Sequence, residues 1–255
     1  MKGYPVMRGL VMRVGAVTIV AVGLCQASLG QDFFLADGQS WPGRILQARS
    51  TDVSAFFERS LTQPDGRIPK IRSITQLRDG RTVFCSGLDR SIMELTPGGE
   101  RILHHGGYLA RQVRTDSNGD LYWSGLETPI DGNPLPDGFI YKLDAATGQV
   151  HTLMTFSQGN LANDWWGAFD VRQGRVFVAT LKQPSSIYEI IESMPRKLTT
   201  LPIGITAFRF QPDGSLLASD GRGKLIRFRD LSHPDTNELL LDSPVPFVDF
   251  VSVIR

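Results

Sequence analysis

Cysteine and histidine are scarce in this chain, which has 255 residues with two cysteines and four histidines. Cys25 lies in a segment expected to be removed on export, and Cys85 sits in the apolar run VFCS, where a buried thiol is the ordinary outcome. No intramolecular disulfide is then available, so the fold must be held by its core, for which about 225 residues are ample. His104 and His105 are adjacent while His151 and His233 stand apart, so no pair has zinc-ligand spacing. Also missing are a G-x-S-x-G elbow, a P-loop and a Gly-rich dinucleotide fingerprint. A charge excess is missing too. The formal balance is +1, and loss of Lys2, Arg8 and Arg13 with the N-terminal segment would take it to −2. Nucleic-acid or polybasic membrane contact needs clustered Lys and Arg, and no such block exists.

Long apolar runs are absent with one exception. Lys2, Arg8 and Arg13 precede the run Val14 to Cys25, and small residues follow it, the pattern of a secretory signal peptide over residues 1–30. Cleavage is expected after Ala27 or Gly30, with a periplasmic or secreted location. An uncleaved anchor is the alternative, but the run falls short of the about 20 apolar residues that span a bilayer. Residues 31–255 are expected to form one monomeric domain with no membrane contact beyond the signal segment.

What is present is a repeat. Four segments each read as a strand, a Gly-containing turn, a second strand ending in Ser or Thr, and a third strand. They are ITQLRDGRTVFCSGLDRSIMEL (Ile74 to Leu95), VRTDSNGDLYWSG with a later GFIYKL, AFDVRQGRVFVATLKQPSSIYEI (Ala168 to Ile190) and AFRFQPDGSLLASDGRGKLIRF (Ala207 to Phe228). The turn glycines Gly80, Gly119, Gly174 and Gly214 lie 39, 55 and 40 residues apart. That period belongs to four-stranded propeller blades. The turns Asp79-Gly80, Asn118-Gly119, Gln173-Gly174 and Asp213-Gly214 suit two-residue hairpin loops, with Gln173 the poorest fit to a positive φ. Fourth strands are expected at Arg101 to His104, Gln149 to Phe156, Arg196 to Leu201 and Glu238 to Leu241.

The leftover pieces make one more blade. Arg44 to Ala48 and Val53 to Ser60 supply its outer strands, and Phe247 to Val253 its inner strand, so the two chain ends meet. The expectation is an all-β propeller of five or six blades. A short helix over Thr51 to Leu61 is the alternative for part of this piece.

The pattern of strand, DG turn, strand ending in a small polar residue, and a third I-x-x-[LIF] strand resembles the NHL, streptogramin-lyase and SMP-30/gluconolactonase group of propellers. QPDGSLLASDGRGKLIRF carries the resemblance most clearly. Members of that group bind proteins, RNA or sugars, or hydrolyse lactones, so the fold leaves function open. Its metal-dependent lactonases hold a divalent cation, often calcium, in the central channel, and the resemblance implies Asp220 and Asn163 as ligands here, with Asp89 or Glu127 completing the set. The family's acidic motif near the chain start, of Glu-Gly-Pro type, is absent.

Loops after the second strands are where a ligand would be met, and they carry Asp89, Arg90, Glu127, Lys182, Asp220 and Arg222. The 55-residue interval adds a Pro-rich loop, Glu127 to Gly138, and the run NLANDWWGAF. There Asn163, Asp164, Trp165 and Trp166 could grip a flat polar ligand, or the tryptophans could pack between blades. The sequence thus points to an exported propeller that binds a polar small molecule, glycan or protein partner through Asn163, Asp164, Trp165, Trp166, Glu127 and Arg222. A calcium-dependent lactone hydrolase is the runner-up, and a purely structural module a third reading.

Overall fold

Twenty strands lie among the described residues of the computed structural model, which are 32–37, 43–49, 52–58, 71–86, 91–105, 108–127, 138–155, 166–192 and 194–252. The chain enters through β1 (Asp32–Asp37), β2 (Arg44–Arg49) and β3 (Asp52–Glu58). Four complete antiparallel sheets follow. They are β4 (Ile71–Gln76), β5 (Thr82–Ser86), β6 (Ser91–Thr96) and β7 (Gly99–His105); β8 (Tyr108–Thr115), β9 (Leu121–Glu127), β10 (Gly138–Leu143) and β11 (Val150–Thr155); β12 (Trp166–Arg172), β13 (Arg175–Thr180), β14 (Ser185–Ile191) and β15 (Met194–Leu201); and β16 (Ala207–Phe210), β17 (Leu216–Ser219), β18 (Lys224–Phe228) and β19 (Asn237–Asp242). Last comes β20 (Asp249–Ser252), which pairs antiparallel with β1 and completes the first sheet in the order β20-β1-β2-β3. Five four-stranded blades result, and the two ends of the chain close the ring, as the leftover strands require.

Each of five apolar clusters lies between two neighbouring blades. Phe33 and Leu35 of β1 pack with Leu217, Leu225 and Phe250, whereas Phe34 and Ala36 pack with Ile71, Ile74 and Phe84 of the next blade. Likewise Trp123 faces one neighbour and Tyr122 the other. Successive side chains of a strand point to opposite faces. A blade covered on both sides therefore needs apolar residues at consecutive positions, which explains runs such as VFC and FVA. Cys85 is fully buried, as expected, and burial pushes its thiol pKa up.

One expectation is met and one needs correction. Residues 52–58 form the expected outer strand, paired along β2, and not the alternative helix; Ala55 and Phe56 lie on an outermost strand, where strict alternation is not demanded. The Gly turns are not all two-residue loops. Gly80, Gly119 and Gly214 each close a three-residue loop, their N–H groups bonding Leu77, Asp116 and Gln211 three residues back. Only the glycine then adopts positive φ, near 87° for Gly80. The two-residue turn occurs at Gln173-Gly174, with φ of 52° and 73° at both positions, the residue pair least suited to it by composition.

The small polar residue at the end of two second strands, β13 and β17, has a local role. Thr180 Oγ1 accepts the Ser186 N–H at 3.0 Å, and Ser219 Oγ accepts the Gly221 N–H at 3.2 Å. Such side-chain bonds offer the backbone an alternative partner as the ladder ends, and so turn the chain over the face of the ring.

Candidate functional site

The innermost strands β4, β8, β12, β16 and β20 each pair on one side only, so each presents a free edge to the channel. Buried N–H and C=O groups must find partners, and here side chains supply them. Gln112 Oε1 accepts the Phe169 N–H at 2.9 Å, and Arg114 Nε donates to the Phe169 carbonyl at 2.9 Å. Ser73 Oγ accepts the Val113 N–H at 2.9 Å. Asp249 accepts the Ile74 N–H at 3.3 Å, while Arg209 donates to the carbonyls of Ile74 at 2.5 Å and Phe250 at 3.0 Å. Asp170 Oδ2 takes the Phe210 N–H at 2.7 Å.

These same groups pair with one another. Arg114, with 0 % of its side chain exposed, grips Asp249 with both terminal nitrogens, at 2.8 and 3.1 Å, and Ser73 Oγ bonds Asp249 as well. Arg209 approaches Asp249 at 4.0 Å, and Asp170 lies 3.8 Å from Arg114 Nε. Two arginines thus meet two aspartates, and the channel is filled by a neutral plug. Burial, Arg114's like charge adding to it, brings Arg209 down to about 10.

Asp170 moves the other way. Burial raises its pKa despite the opposing pull of Arg209 and Arg114. A carboxyl whose folded pKa lies above its unfolded value costs stability once both states are ionised, and that cost is relieved as pH falls through the folded pKa toward about 4. Asp170→Asn is therefore expected to remove a gain in stability on mild acidification. Urea titrations of both proteins across that range measure it; equal slopes would contradict the assignment.

Above the plug, a cleft of about 270 Å³ lies between the fourth and fifth blades. Leu181, Gln183, Ile203, Thr206, Asp220 and Arg222 line it. The loop carrying Arg222 is fixed from below. Gly221 has a φ of +71°, and a Cβ there would fall 2.5 Å from Thr206 Cγ2. Asp220 Oδ1 accepts the N–H groups of Arg222 and Lys224 at 2.8 and 3.1 Å.

Of the residues expected to form the site, Asp220 and Arg222 come together in this cleft. Trp166 opens β12 opposite Thr180, and Glu127 ends β9 opposite Tyr108. Asn163, Asp164, Trp165 and Asp89 lie outside the described residues. Sequence reasoning missed the plug. Its signal was nevertheless present as one charge inside an apolar inner strand, in QVRT, AFDV, AFRF and FVDF.

No family model matches the chain, and no curated protein is found to match it. Solved structures do. A gluconolactonase from Xanthomonas campestris has a TM-score of 0.52 at 14% identity, over 88% of this chain and 84% of that one. A putative gluconolactonase gives 0.50 at 15% identity, over 88% and 89%. A chain of a nidogen/laminin complex gives 0.51 at 11% identity, over 85% and 79%. The chain shares its fold with these structures.

At these identities the likeness extends to the fold alone. A cation of the kind found in metal-dependent lactonases does not fit the described part of this propeller. Asp170 and Asp249 already face arginines, Asp220 accepts two backbone N–H groups, and the described residues hold no cluster of three His, Cys, Asp or Glu able to bind a metal.

Proposed function

We propose that the protein is an exported binding propeller, which takes a polar small molecule, glycan or protein partner on the face where the second strand of each blade ends. The filled channel carries this reading. Arg114, Arg209, Asp170 and Asp249 are consumed in pairing free strand edges and each other, so they are not poised as acid, base or metal ligand. Recognition then falls to the rim, where Arg222, Asp220 and Gln183 supply polar handles beside the apolar Leu181 and Ile203.

The test is a screen of soluble glycans and small polar metabolites by thermal shift on the exported domain. Arg222→Ala is expected to weaken a hit by roughly tenfold, the cost of one charged hydrogen bond, without changing the melting temperature of the unliganded protein. Trp165→Ala, at a residue singled out by the sequence, is the second probe. Hits indifferent to both substitutions would overturn the proposal, as would chelator-sensitive turnover of a sugar lactone, which would put a hydrolase in its place.

A further inference from the structure

At the mouth of the ring, most polar groups that line the cleft between the fourth and fifth blades are already spent. The Thr206 carbonyl accepts the Gln112 side-chain N–H at 2.8 Å, and the Thr206 hydroxyl lies 3.1 Å from Ser219 Oγ. The Ile205 N–H donates to Ser185 Oγ at 2.9 Å, and the Ile203 carbonyl accepts the Ser185 N–H at 3.1 Å. Two charged groups are left over. Asp220 uses Oδ1 for the backbone N–H groups of Arg222 and Lys224, while its Oδ2 makes no hydrogen bond or ion pair among the described residues. The Arg222 side chain is exposed and makes none either. Although only two residues apart, they do not neutralise each other. The bonds to Oδ1 hold the carboxylate to its own turn, so it does not follow the guanidinium.

We propose that this cleft binds a small zwitterion, an α-amino acid with an apolar side chain, whose carboxylate meets Arg222 and whose ammonium group meets Asp220. A guanidinium fork matches the paired oxygens of a carboxylate, and an ammonium group donates to the unused Oδ2. Asp220 and Arg222 are the two charged residues of the lining, so the cleft is neutral as a whole. A singly charged ligand satisfies one of them and sets its charge beside the like charge or leaves the other group unpaired, which is how a site rejects a near relative.

The rest of the lining gives the apolar part of the ligand its place. Leu181 is 41% exposed at the edge of the cleft, and Ile203 lines it as well. A neutral sugar would hydrogen-bond the charged pair but leave that surface in water. Size points the same way. Pockets for drug-sized ligands run from roughly 300 to 1,000 Å³, and the cleft, at about 270 Å³, suits a smaller molecule. The inference rests on the binding reading above and names the ligand class for it.

The experiment titrates the protein by calorimetry with leucine, valine and phenylalanine, with the amide and N-acetyl form of each, and with galactose. At least one amino acid should bind, and its amide, which lacks the carboxylate, and its N-acetyl form, which lacks the ammonium group, should each bind about tenfold or more weakly. Asp220→Asn keeps an acceptor for the two backbone N–H groups but removes the charge, so it should weaken the amino acid by about tenfold and the N-acetyl form not at all. Arg222→Gln should weaken the amino acid and spare the amide. An amino acid that binds no better than its two singly charged forms, or that is indifferent to both substitutions, would overturn the inference. Should Asp220→Asn fail to fold, Arg222→Gln alone decides. If galactose or another neutral glycan binds through Arg222 while no amino acid does, the zwitterion site falls and the binding reading stands; if nothing binds, both fall.

Discussion

Asp249→Ala should lower the unfolding free energy by about 3–5 kcal/mol, the cost of breaking a buried ion pair from one side. Asp249 and Arg114 have no exposed side-chain surface, so the guanidinium left behind cannot recover its lost partner from water. The substitution also takes the acceptor from the Ile74 N–H and from Ser73 Oγ. The double variant Arg114→Met with Asp249→Ala separates the two contributions. It restores charge balance within the plug but leaves the Phe169 carbonyl and the Ile74 N–H without the partners they have now. An unsatisfied buried group costs about 1–3 kcal/mol, so the double variant should recover only part of the loss. Urea midpoints of the three proteins decide the matter. Full recovery would mean that the plug is an ion pair and nothing more, and that capping of the strand edges contributes little.

Deleting residues 249–255 is expected to do more still, leaving a chain that elutes as aggregate, well ahead of the full-length protein. β20 supplies Asp249 to the plug, four ladder positions to β1, and Phe250 to the cluster shared by the first and fifth blades. Without it the edge of β1 is open, and an unpaired strand is a template for association with other chains. Phe250→Ala isolates the packing contribution. Its ring is fully buried and meets Phe33 edge-on at 6.5 Å, and truncating such a side chain costs about 3–5 kcal/mol. Gel filtration of the deletion, with thermal melts of Phe250→Ala, would show whether closure holds the ring. A truncated chain with unchanged elution and melting would refute this.

The ring was legible because repetition is a strong signal. Gly80, Gly119, Gly174 and Gly214 mark the hairpin between first and second strands in four blades, and the Ser or Thr expected to end each second strand recurs five or six residues beyond them. β1 was harder to see. Its sequence DFFLAD has no hairpin glycine of its own, since its inner partner lies more than two hundred residues away at Asp249–Ser252. The turn geometry was misjudged at Gly80, Gly119 and Gly214, where the bonds from Leu77 to Arg81, Asp116 to Asp120 and Gln211 to Ser215 leave three residues in the loop; the pairing of Arg172 with Arg175 leaves the expected two, although Gln173 fits that turn worst by composition. The plug went unread for a related reason. Each of Arg114, Asp170, Arg209 and Asp249 is a lone charge in an apolar strand, and nothing local announces that four such positions converge. Asp220 and Arg222 were found because the DGRG turn that holds them repeats the blade's own grammar.

The pairing of Phe33 with Ser252 bears on how the molecule could be rebuilt. Paired residues on neighbouring antiparallel strands have Cα atoms about 5 Å apart, so a linker of a few residues could join the start of β1 to the end of β20. The ring would then have no natural beginning. New ends could be cut at the Gln173-Gly174 turn, on the face opposite the cleft, giving a circularly permuted protein with the same blades and the same mouth.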